Sequence, residues 1–595
     1  MKDSSGYANV SGVTLPCFHL LLQIGNLEDM YVFEPVMQRR QWAISEGTRG
    51  GQKRRSLLSQ QEQLEADEHV DYILEQVVQK RVKRSSYTPP LDPLWPRQWS
   101  LLNEGQEAVG GRYDLNVEPA WIQGLTGRGV TVGVTDDGKT SHFLFTGRGV
   151  TVGVTDDGLW YSHPDLTANF RSKLSWDFID NDNDVMPRRN RENHGTSCAG
   201  VIAMARSNNM CGTGIAYETQ IAGLRMLDGD DTTDAIEASS LGFANQYIDI
   251  YSSSWGPYDN GFTVGGPGPI LTHVLRRGAE EGRGGKGVIY VWASGNGGKN
   301  GDTCAMDGYV SSIYTVAVGS VDQYGVQAPF DEDCTGKLAV AVNHNANGQN
   351  SHQVVTTDNR NRCRGNFKGT SAAAPLIAGI IALTLQANNN LTWRDVQYLI
   401  VHTSRHEGLT TPREPRPWRM NGAGLTVEAN TTLQTAFSVE SNKSEIRSLE
   451  HVVFRLSLTI ENYTTPRSLA QYHIMQSLFG THFDQADING ILEHNGARRG
   501  DVSISLTSPS GTESILLPHR EKDFVNTGTL SWSFMSVQHW GETPVGQWNI
   551  AVNFNSSEGY IRISGLNVTL YGMSRSSVTS VSEYCSNLLT RLEQL

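Results

Sequence analysis

The string GTSAAAPLIAGIIALTL at residues 369–385 places a serine, Ser371, among small residues at the start of a long apolar run. An apolar run of this length after a Gly-Thr pair predicts a buried helix that begins at the serine. The first N–H groups of a helix have no partner inside it, so they can stabilise negative charge that develops beside Ser371. The string therefore predicts a nucleophilic serine at the N-terminus of a core helix.

Two strings earlier in the chain supply the partners that a nucleophilic serine needs. VTDDG at 154–158 predicts a buried strand that ends at Asp156, and NHGTSCAG at 193–200 predicts a helix that begins at His194. Taken singly, such residues are more often a strand-end cap and a structural histidine. Together with the serine, in the order Asp, His, Ser that subtilisin has, they predict a catalytic triad.

A fourth string, VWASGNGG at 291–298, predicts a buried strand that ends at the Gly-flanked Asn296. An Asn-Gly turn is the structural alternative. Acyl transfer needs a second donor to the oxyanion, however, and a side-chain amide beside the nucleophile supplies one. With the other three strings, Asn296 is predicted to be that donor.

Composition and charge narrow the class of protein. The 595 residues carry 49 Lys and Arg against 62 Asp and Glu, a net charge of −13, so a basic footprint for nucleic acid is missing. Glycosylation sequons in the last third of the chain indicate a secretory protein, and they lie at Asn390, Asn430, Asn442, Asn462, Asn555 and Asn567. No apolar run predicts a transmembrane segment, and the N-terminus lacks an evident signal peptide, so we expect an incomplete start.

The hydrophobic pattern divides the chain into four parts. Residues 1–84 are polar and charged after Phe33, and residues 85–440 alternate strands with helices, which predicts an α/β domain with a mostly parallel sheet. Residues 445–573 carry short alternating strands, interrupted at 462–493, and predict an all-β domain. Residues 574–595 form a Ser-rich, loose tail.

Two basic clusters lie in the first part, one ending at Arg55 and the other at Arg84. Basic runs are usually solvated faces of helices. The sequence Arg-Val-Lys-Arg before Ser-Ser-Tyr-Thr-Pro-Pro instead indicates a cleavage site in an extended linker.

One segment of the α/β domain is duplicated. TGRGVTVGVTDDG occurs at 126–138 and again at 146–158, 20 positions later. A solenoid needs at least three copies, so two copies indicate a duplicated segment, residues 126–145, or an assembly artefact.

Longer strings around these motifs resemble the kexin/furin-like proprotein convertases of the subtilase superfamily. They include YDLNVEPAW, CGTGIAY, IAGLRMLDG, IYSSSWGPYDNGFTVGGP and DGYVSSIYTVAVGS. The spacing of Asp156, His194 and Ser371 is similar as well, and TGRGVTV and HWGE lean toward the branch of the seventh vertebrate convertase. The resemblance covers residues 19–572.

The resemblance implies a subtilisin-like α/β catalytic domain with a mostly parallel sheet and flanking helices. A small α+β pro-domain would precede it, and an all-β, jelly-roll-like P domain would follow. It implies a Ca²⁺-dependent serine endopeptidase that cuts secretory-pathway proproteins after paired basic residues. The pro-domain would be an intramolecular inhibitor, cleaved first after Arg84 and then after Arg55. We expect a monomer.

The resemblance also assigns roles residue by residue. The triad is Asp156, His194 and Ser371, with Asn296 in the oxyanion hole. Substrate side chains would meet Asp157, Glu237, Asp259 and Asp307. Three Ca²⁺ sites would use Asp177, Asp182 and Asp184; Asp259, Asp302 and Glu332; and Asp92, Asp165 and Asn208. Disulfides would join Cys304 to Cys334 and Cys211 to Cys363, and Cys198 would be a buried free thiol.

Departures from the family pattern keep other interpretations open. The sequence before the first copy of the duplicated segment matches the family pattern, and so does the sequence after the second copy. Catalysis is assigned to Asp156 rather than Asp136, because Asp165 follows Asp156 at the family spacing. Gly265 and Arg191 stand where convertases have acids for the fourth and second substrate positions. One alternative is a binding-only homologue, inactivated by the duplication. Another is a broad degradative subtilase, against which the acidic pocket residues argue.

Overall fold

The computed structural model describes most of the chain after residue 87. The described ranges are 88–106, 113–128, 150–189, 191–229, 231–346, 353–404, 432–439, 446–462, 498–526, 528–555 and 559–574. Four N-terminal strands, β1 Ala8–Val10, β2 Val13–Leu15, β3 Phe18–Gln23 and β4 Tyr31–Pro35, pair as two antiparallel hairpins. The chain divides into two units, Met1–Ser86 and Tyr87–Leu595. The predicted cleavage residues Arg55 and Arg84 lie outside the described residues.

The second unit contains a seven-stranded parallel sheet. Its strands are β5 Thr151–Asp156, β6 Trp176–Asp177, β7 Gln220–Arg225, β8 Ile250–Ser253, β9 Ile289–Ala293, β10 Thr315–Asp322 and β11 Lys337–His344. They lie in the order β11-β10-β9-β8-β5-β7-β6, and every neighbouring pair is parallel. All of β5 is buried, as expected for a parallel strand covered on both faces. The predicted α/β domain with a mostly parallel sheet is confirmed.

Helices and one hairpin surround this sheet. The described helices are α1 Glu118–Ile122, α2 His194–Ala203, α3 Asp234–Gly242, α4 Pro269–Gly285, α5 Thr370–Ala387 and α6 Trp393–Thr403. The hairpin joins β12 Val354–Asp358 to β13 Arg362–Phe367. Among the described residues, α5 is one helix with the length and hydropathy of a membrane span, and 72% of it is buried in the protein. A helix that is apolar all round needs such burial to be stable in water.

Both copies of the duplicated segment contribute to the described structure. The backbone N–H groups of Thr126 and Gly127, in the first copy, donate to Gln386 Oε1 at 2.6 and 2.7 Å. Strand β5 comes from the second copy, and Val150 O accepts a hydrogen bond from Gln220 N at 2.9 Å. The residues between, 129–149, lie outside the described ranges. The central strand and its terminal aspartate are therefore built from the second copy.

Removing residues 126–145 is expected to raise the yield and activity of the protein. The deletion joins Thr146-Gly147-Arg148, identical to 126–128, directly to Leu125, so the same residue types fill the same places. The chain then closes no additional loop before β5, and loop closure always costs entropy. Soluble yield and activity per titrated active site measure the effect. Equal values for the two forms would show that the duplication is tolerated.

The C-terminal part is all β. Its strands are β14 Thr432–Val439, β15 Ile446–Asn462, β16 Val502–Thr507, β17 Glu513–Leu517, β18 Gly528–Ser536, β19 Gly546–Phe554 and β20 Gly559–Ser574. They form two antiparallel sheets, in the orders β14-β19-β16-β17 and β18-β15-β20. Side chains of β16 alternate between buried and half-buried, the pattern of a strand with one face in a core. The predicted interruption at 462–493 lies outside the described residues beyond the end of β15.

The all-β part packs directly on the α/β part. Its core includes Phe454 and Trp548 and extends to Ala305 and Met306 of the α/β part. Trp532 Nε1 also donates to Ala305 O at 2.8 Å. Burying one large apolar side chain contributes about 1.5–3 kcal/mol, so this shared core couples the two parts. The structure forms both expected disulfides, Cys211–Cys363 and Cys304–Cys334, the second next to this junction.

Candidate active site

The end of β5 and the start of α2 bring Asp156 against His194. His194 Nδ1 lies 2.9 Å from Asp156 Oδ2 and 3.1 Å from Oδ1. Asp156 is 2% exposed, whereas 35% of the His194 side chain is exposed, so the imidazole edge is open to a substrate. Gly195 permits this approach, because a Cβ there would lie 2.4 Å from Gly158 O and 2.8 Å from Asp156 Cβ.

The electrostatics of this pair suit a general base. Burial disfavours the imidazolium and lowers the pKa of His194, but Asp156 and Cys198 together outweigh it, so the net pKa is raised well above its usual value. Cys198 Sγ lies 3.9 Å from His194 Nδ1, and burial raises the pKa of this thiol. Cys198 is a buried free cysteine in the structure. The aspartate therefore stabilises the imidazolium that forms when the histidine accepts a proton.

Ser371 lies in the first turn of α5, close to the same pair. Its Oγ donates to Ser254 O at 3.4 Å, and Ser254 Oγ donates to Ser371 O at 3.1 Å. Cys198 Sγ lies 3.7 Å from Ser371 O, which places the start of α5 beside α2. Ser371 Oγ makes no hydrogen bond to His194 among the contacts of these described residues. Such bonds are often long without substrate and tighten in the enzyme–substrate complex.

Asn296 follows β9, and a residue that the sequence analysis missed orients its amide. The Thr370 backbone N–H donates to Asn296 Oδ1 at 2.8 Å, and Thr370 Oγ1 donates to it at 3.2 Å. Because the carbonyl oxygen of the amide is used by Thr370, donation to an oxyanion falls to its NH₂ group. Thr370 directly precedes the serine in the string GTS, and this adjacency was the available signal.

Asp157 caps the helix that carries the histidine. Its Oδ2 accepts a hydrogen bond from His194 N at 3.0 Å, and its Oδ1 accepts one from Gly195 N at 2.8 Å. Burial, followed by repulsion from Asp156, raises the pKa of Asp157 to about 7. A carboxylate at a helix N-terminus accepts hydrogen bonds from unpaired N–H groups and interacts favourably with the helix dipole. The predicted contact of Asp157 with substrate stays a prediction.

Four of the predicted acids lie together under the loop that carries Asn296. They accept backbone hydrogen bonds as follows: Asp259 Oδ2 from Asn296 N at 2.9 Å, Glu332 Oε1 from Gly297 N at 2.8 Å, Asp302 Oδ2 from Gly261 N at 2.8 Å, and Asp307 Oδ1 from Tyr309 N at 2.7 Å. Burial raises the pKa of Asp307 to about 8. Burial, with repulsion from Asp302 and Asp259, raises the pKa of Glu332 to about 10. We call Asp259, Asp302, Asp307 and Glu332 the acid cluster.

The acid cluster holds more carboxyl groups than its protein neighbours could neutralise if all of them were ionised. Within the described residues, the ion pair of Arg520 with Asp302 at 3.0 Å is the one salt bridge that any of the four makes. Neighbouring buried carboxylates repel one another when ionised unless a cation lies among them. Carboxylate oxygens are the ligands that Ca²⁺ prefers, so the donor set of Asp259, Asp302 and Glu332 fits this ion.

Known proteins are similar to this chain in sequence. Residues 147–424 match the subtilase family, and residues 487–569 match the proprotein convertase P-domain. Furin-1 of Xenopus laevis is 37% identical over 579 residues, which are 95% of this chain and 69% of that protein. This chain belongs to the proprotein convertases, a family of subtilisin-like serine endopeptidases.

Other convertases are similarly related. Furin of Bos taurus is 38% identical over 520 residues, 86% of this chain and 61% of that protein. Human proprotein convertase subtilisin/kexin type 6 is 39% identical over 554 residues, 89% of this chain and 52% of that protein. The chain therefore spans only about half to two thirds of the length of these two convertases.

A solved structure confirms the fold of the convertase. The serine protease of Aeromonas sobria has a TM-score of 0.58 at 20% identity, over 82% of this chain and 94% of that one. The same protease in complex with its chaperone ORF2 gives a TM-score of 0.58 at 19% identity, over 82% and 93%. The predicted subtilisin-like domain followed by a P domain is thus confirmed.

The convertase Ca²⁺ site predicted at the sheet edge contains an unsatisfied oxygen. Asp92 carboxylate oxygens accept hydrogen bonds from Ser207 N at 2.7 Å and Asn208 N at 2.9 Å. Asn208 Nδ2 donates to Asp165 Oδ1 at 2.6 Å, but the buried Asp165 Oδ2 has no hydrogen-bond partner. Burial raises the pKa of Asp165 to about 7. An unpartnered buried carboxylate oxygen fits a cation.

The third predicted Ca²⁺ site already has counter-ions. Arg225 Nη1 lies 2.8 Å from Asp177 Oδ2. The Arg188 guanidinium lies 3.5 Å from Asp177, 3.5 Å from Asp182 and 3.1 Å from Asp184. These arginines offset the repulsion among the three carboxylates, and Ca²⁺ binding here stays a prediction.

Glu237, predicted to meet the fourth substrate side chain, lies on α3 and is 6% exposed. Its Oε2 accepts a hydrogen bond from the Tyr309 hydroxyl at 2.9 Å, and burial raises the pKa of Glu237. Because Tyr309 N also donates to Asp307, this tyrosine joins the two predicted substrate acids. Their contacts with substrate stay predictions.

Replacing Asp156 with Asn is expected to lower kcat by about 10⁴-fold, because the imidazole loses its orientation and its counter-charge. The Asp156 carboxylate raises the pKa of His194, so its loss lowers that pKa. The imidazole then stays neutral down to a lower pH. The acid limb of the residual kcat/KM profile should therefore move to lower pH. Ser371→Ala supplies the background rate. An acid limb at the same pH as in the parent chain would contradict the pairing of Asp156 with His194.

Proposed function

We propose that this chain is a Ca²⁺-dependent serine endopeptidase that cleaves proproteins of the secretory pathway after paired basic residues. The acid cluster lies under the loop that carries Asn296 and Gly297, which we call the oxyanion loop, and it is the observation that carries the proposal. Asp259 and Asp307 would receive the Arg or Lys side chain before the cut. A neutral side chain there would leave buried charge unpaired, which is costly.

The chemistry follows from the positions of the triad. Ser371 Oγ attacks the scissile carbonyl carbon while His194 takes its proton, and Asp156 stabilises the resulting imidazolium. The oxyanion accepts hydrogen bonds from the Asn296 amide and from backbone N–H at the start of α5. His194 then gives the proton to the leaving amine, and water hydrolyses the acyl-enzyme by the same steps.

Calcium would occupy the two sets of residues that fit it. The first is Asp259, Asp302 and Glu332, and the second is Asp92, Asp165 and Asn208. A bound Ca²⁺ supplies the positive charge that lets neighbouring carboxylates ionise together. We further propose that residues 1–84 inhibit the protease until self-cleavage after Arg84 and then Arg55. The sequons support a secretory location.

Peptides of the form Arg-x-Lys-Arg, varied one position at a time, are expected to show a firm demand for Arg at the cut. The preference over neutral residues in kcat/KM should exceed about tenfold, roughly 1.4 kcal/mol. The demand at the fourth and second positions should be softer, because Gly265 and Arg191 replace acids there. Ser371→Ala is the control. Neutral residues accepted at the cut within tenfold of Arg would favour a broad subtilase, and no turnover would favour the binding-only alternative.

Chelation of Ca²⁺ is expected to lower both activity and Tm. Without the cation, the buried carboxylates must stay protonated or repel one another. Thermal melting with excess chelator, then with added Ca²⁺ or Mg²⁺, measures this. Mg²⁺ is the control, because it demands a smaller octahedral site. Identical melting curves with chelator and with Ca²⁺ would falsify the proposed dependence.

A further inference from the structure

One arginine of the P domain reaches the acid cluster of the catalytic domain. Arg520 Nη2 donates to Asp302 Oδ1 at 3.0 Å and to Thr263 O at 3.0 Å. Its Nη1 donates to Asp523 Oδ2 at 2.8 Å. The Arg520 side chain is 1% exposed, and Asp523 and Asp302 are 0% and 6% exposed. A buried guanidinium thus lies between one carboxylate of each domain.

This contact belongs to a longer charged chain. Arg499 Nε donates to Asp523 Oδ2 at 2.7 Å, and Arg499 Nη2 donates to Phe262 O at 2.5 Å. Two arginines of the P domain therefore hold the backbone of the catalytic domain at Phe262 and Thr263. Buried charges of this kind are tolerated only when each is paired, so removing one leaves its partners uncompensated.

Asp302 links this chain to the oxyanion donor. Its two oxygens accept hydrogen bonds from Thr303 N at 2.9 Å and Gly261 N at 2.8 Å. It also lies directly under the oxyanion loop, because a Cβ at Gly297 would be 2.6 Å from Asp302 Cβ. Asn296 N donates to Asp259 Oδ2 at 2.9 Å in the same layer. A shift of Asp302 would therefore move the loop that presents the Asn296 amide.

We propose that Arg520 is a positioning residue, through which the P domain sets the geometry of the oxyanion loop and of the pocket for the basic side chain. It touches no reacting atom and acts by holding Asp302. The proposal rests on the proposed endopeptidase function. It assigns the P domain a direct part in catalysis, in addition to its packing on the catalytic core.

The test compares Arg520→Met and Arg520→Lys with the parent chain, using an Arg-x-Lys-Arg peptide and titration of active sites with a fluorophosphonate. Arg520→Met should lower kcat per titrated site roughly tenfold or more, part of the ~10²–10³ that loss of an oxyanion donor costs. It should also reduce the preference for Arg over a neutral residue at the cut. The kcat of Arg520→Lys should lie between those of Arg520→Met and the parent chain, because Lys keeps the charge but lacks the forked guanidinium that spans two carboxylates.

Three further variants, Asp302→Asn, Arg520→Met/Asp302→Asn and Lys522→Met, separate positioning from folding. In Arg520→Met/Asp302→Asn the uncompensated charge of Asp302 is gone. Arg520→Met should therefore lower kcat by a smaller factor in the Asp302→Asn background than in the parent chain. Lys522→Met is the matched control, because Lys522 contacts Asn300 Oδ1 from the same P-domain loop but does not touch Asp302. The kcat per titrated site of Lys522→Met should stay within about twofold of that of the parent chain, because most surface substitutions have small effects.

The outcomes are distinguishable. If Arg520→Met lowers only Tm or yield, with kcat and selectivity per titrated site unchanged, Arg520 is structural and the proposal is overturned. The same holds if the double variant shows purely additive losses. If the parent chain itself lacks selectivity for Arg, the proposed function fails instead, and kcat per titrated site on any cleaved peptide still tests Arg520.

Discussion

The parallel sheet brings the carboxyl ends of its strands to one edge, and every group of the active site depends on this geometry. Asp156 ends β5, Ser254 follows β8, and Asn296 follows β9. Polar groups at these ends meet even though they are far apart in the chain. The two helices that start at this edge add His194 and Ser371, so their N-termini face the same space.

Buried negative charge is the second constraint. Asp156 and Asp157 are partly offset by His194 and by the N-terminus of α2. Within the part of the chain that the structure describes, Arg520 is the one residue that forms a salt bridge with the acid cluster. Because burial and mutual repulsion both disfavour ionised carboxylates, the cluster is suited to a cation, whether a Ca²⁺ ion or the basic side chain of a substrate. Binding and stability would then share the same electrostatic cause.

The P domain takes part in this balance. It shares a hydrophobic core with residues next to the Cys304–Cys334 disulfide, and it places a buried arginine against Asp302. Apolar packing fixes how the two domains sit against each other, and the arginine adds charge at one point of that interface. The P domain thereby supplies one positive charge to the acid cluster of the catalytic domain.

The sequence by itself determined the fold class and predicted which residues form the triad. Alternating apolar strands and helices predict a parallel α/β domain, and small residues flank Asp156, His194 and Ser371 because helix and strand ends meet closely there. Such local patterns can be recognised from the sequence alone. The choice of the second copy for β5 also followed from its downstream string, although the anchor at Thr126 and Gly127 could not be foreseen.

Only the tertiary structure decided the partners that lie far away in the chain. Thr370 orients Asn296, Arg188 and Arg225 neutralise the acidic turn at Asp177, and Arg520 reaches Asp302 from another domain. Hydrogen bonds and ion pairs depend on distances of a few ångströms between side chains. Sequence patterns report which residues are buried or begin a helix, but they do not report which buried charge faces which. That pairing is set by how the sheet, the helices and the P domain pack.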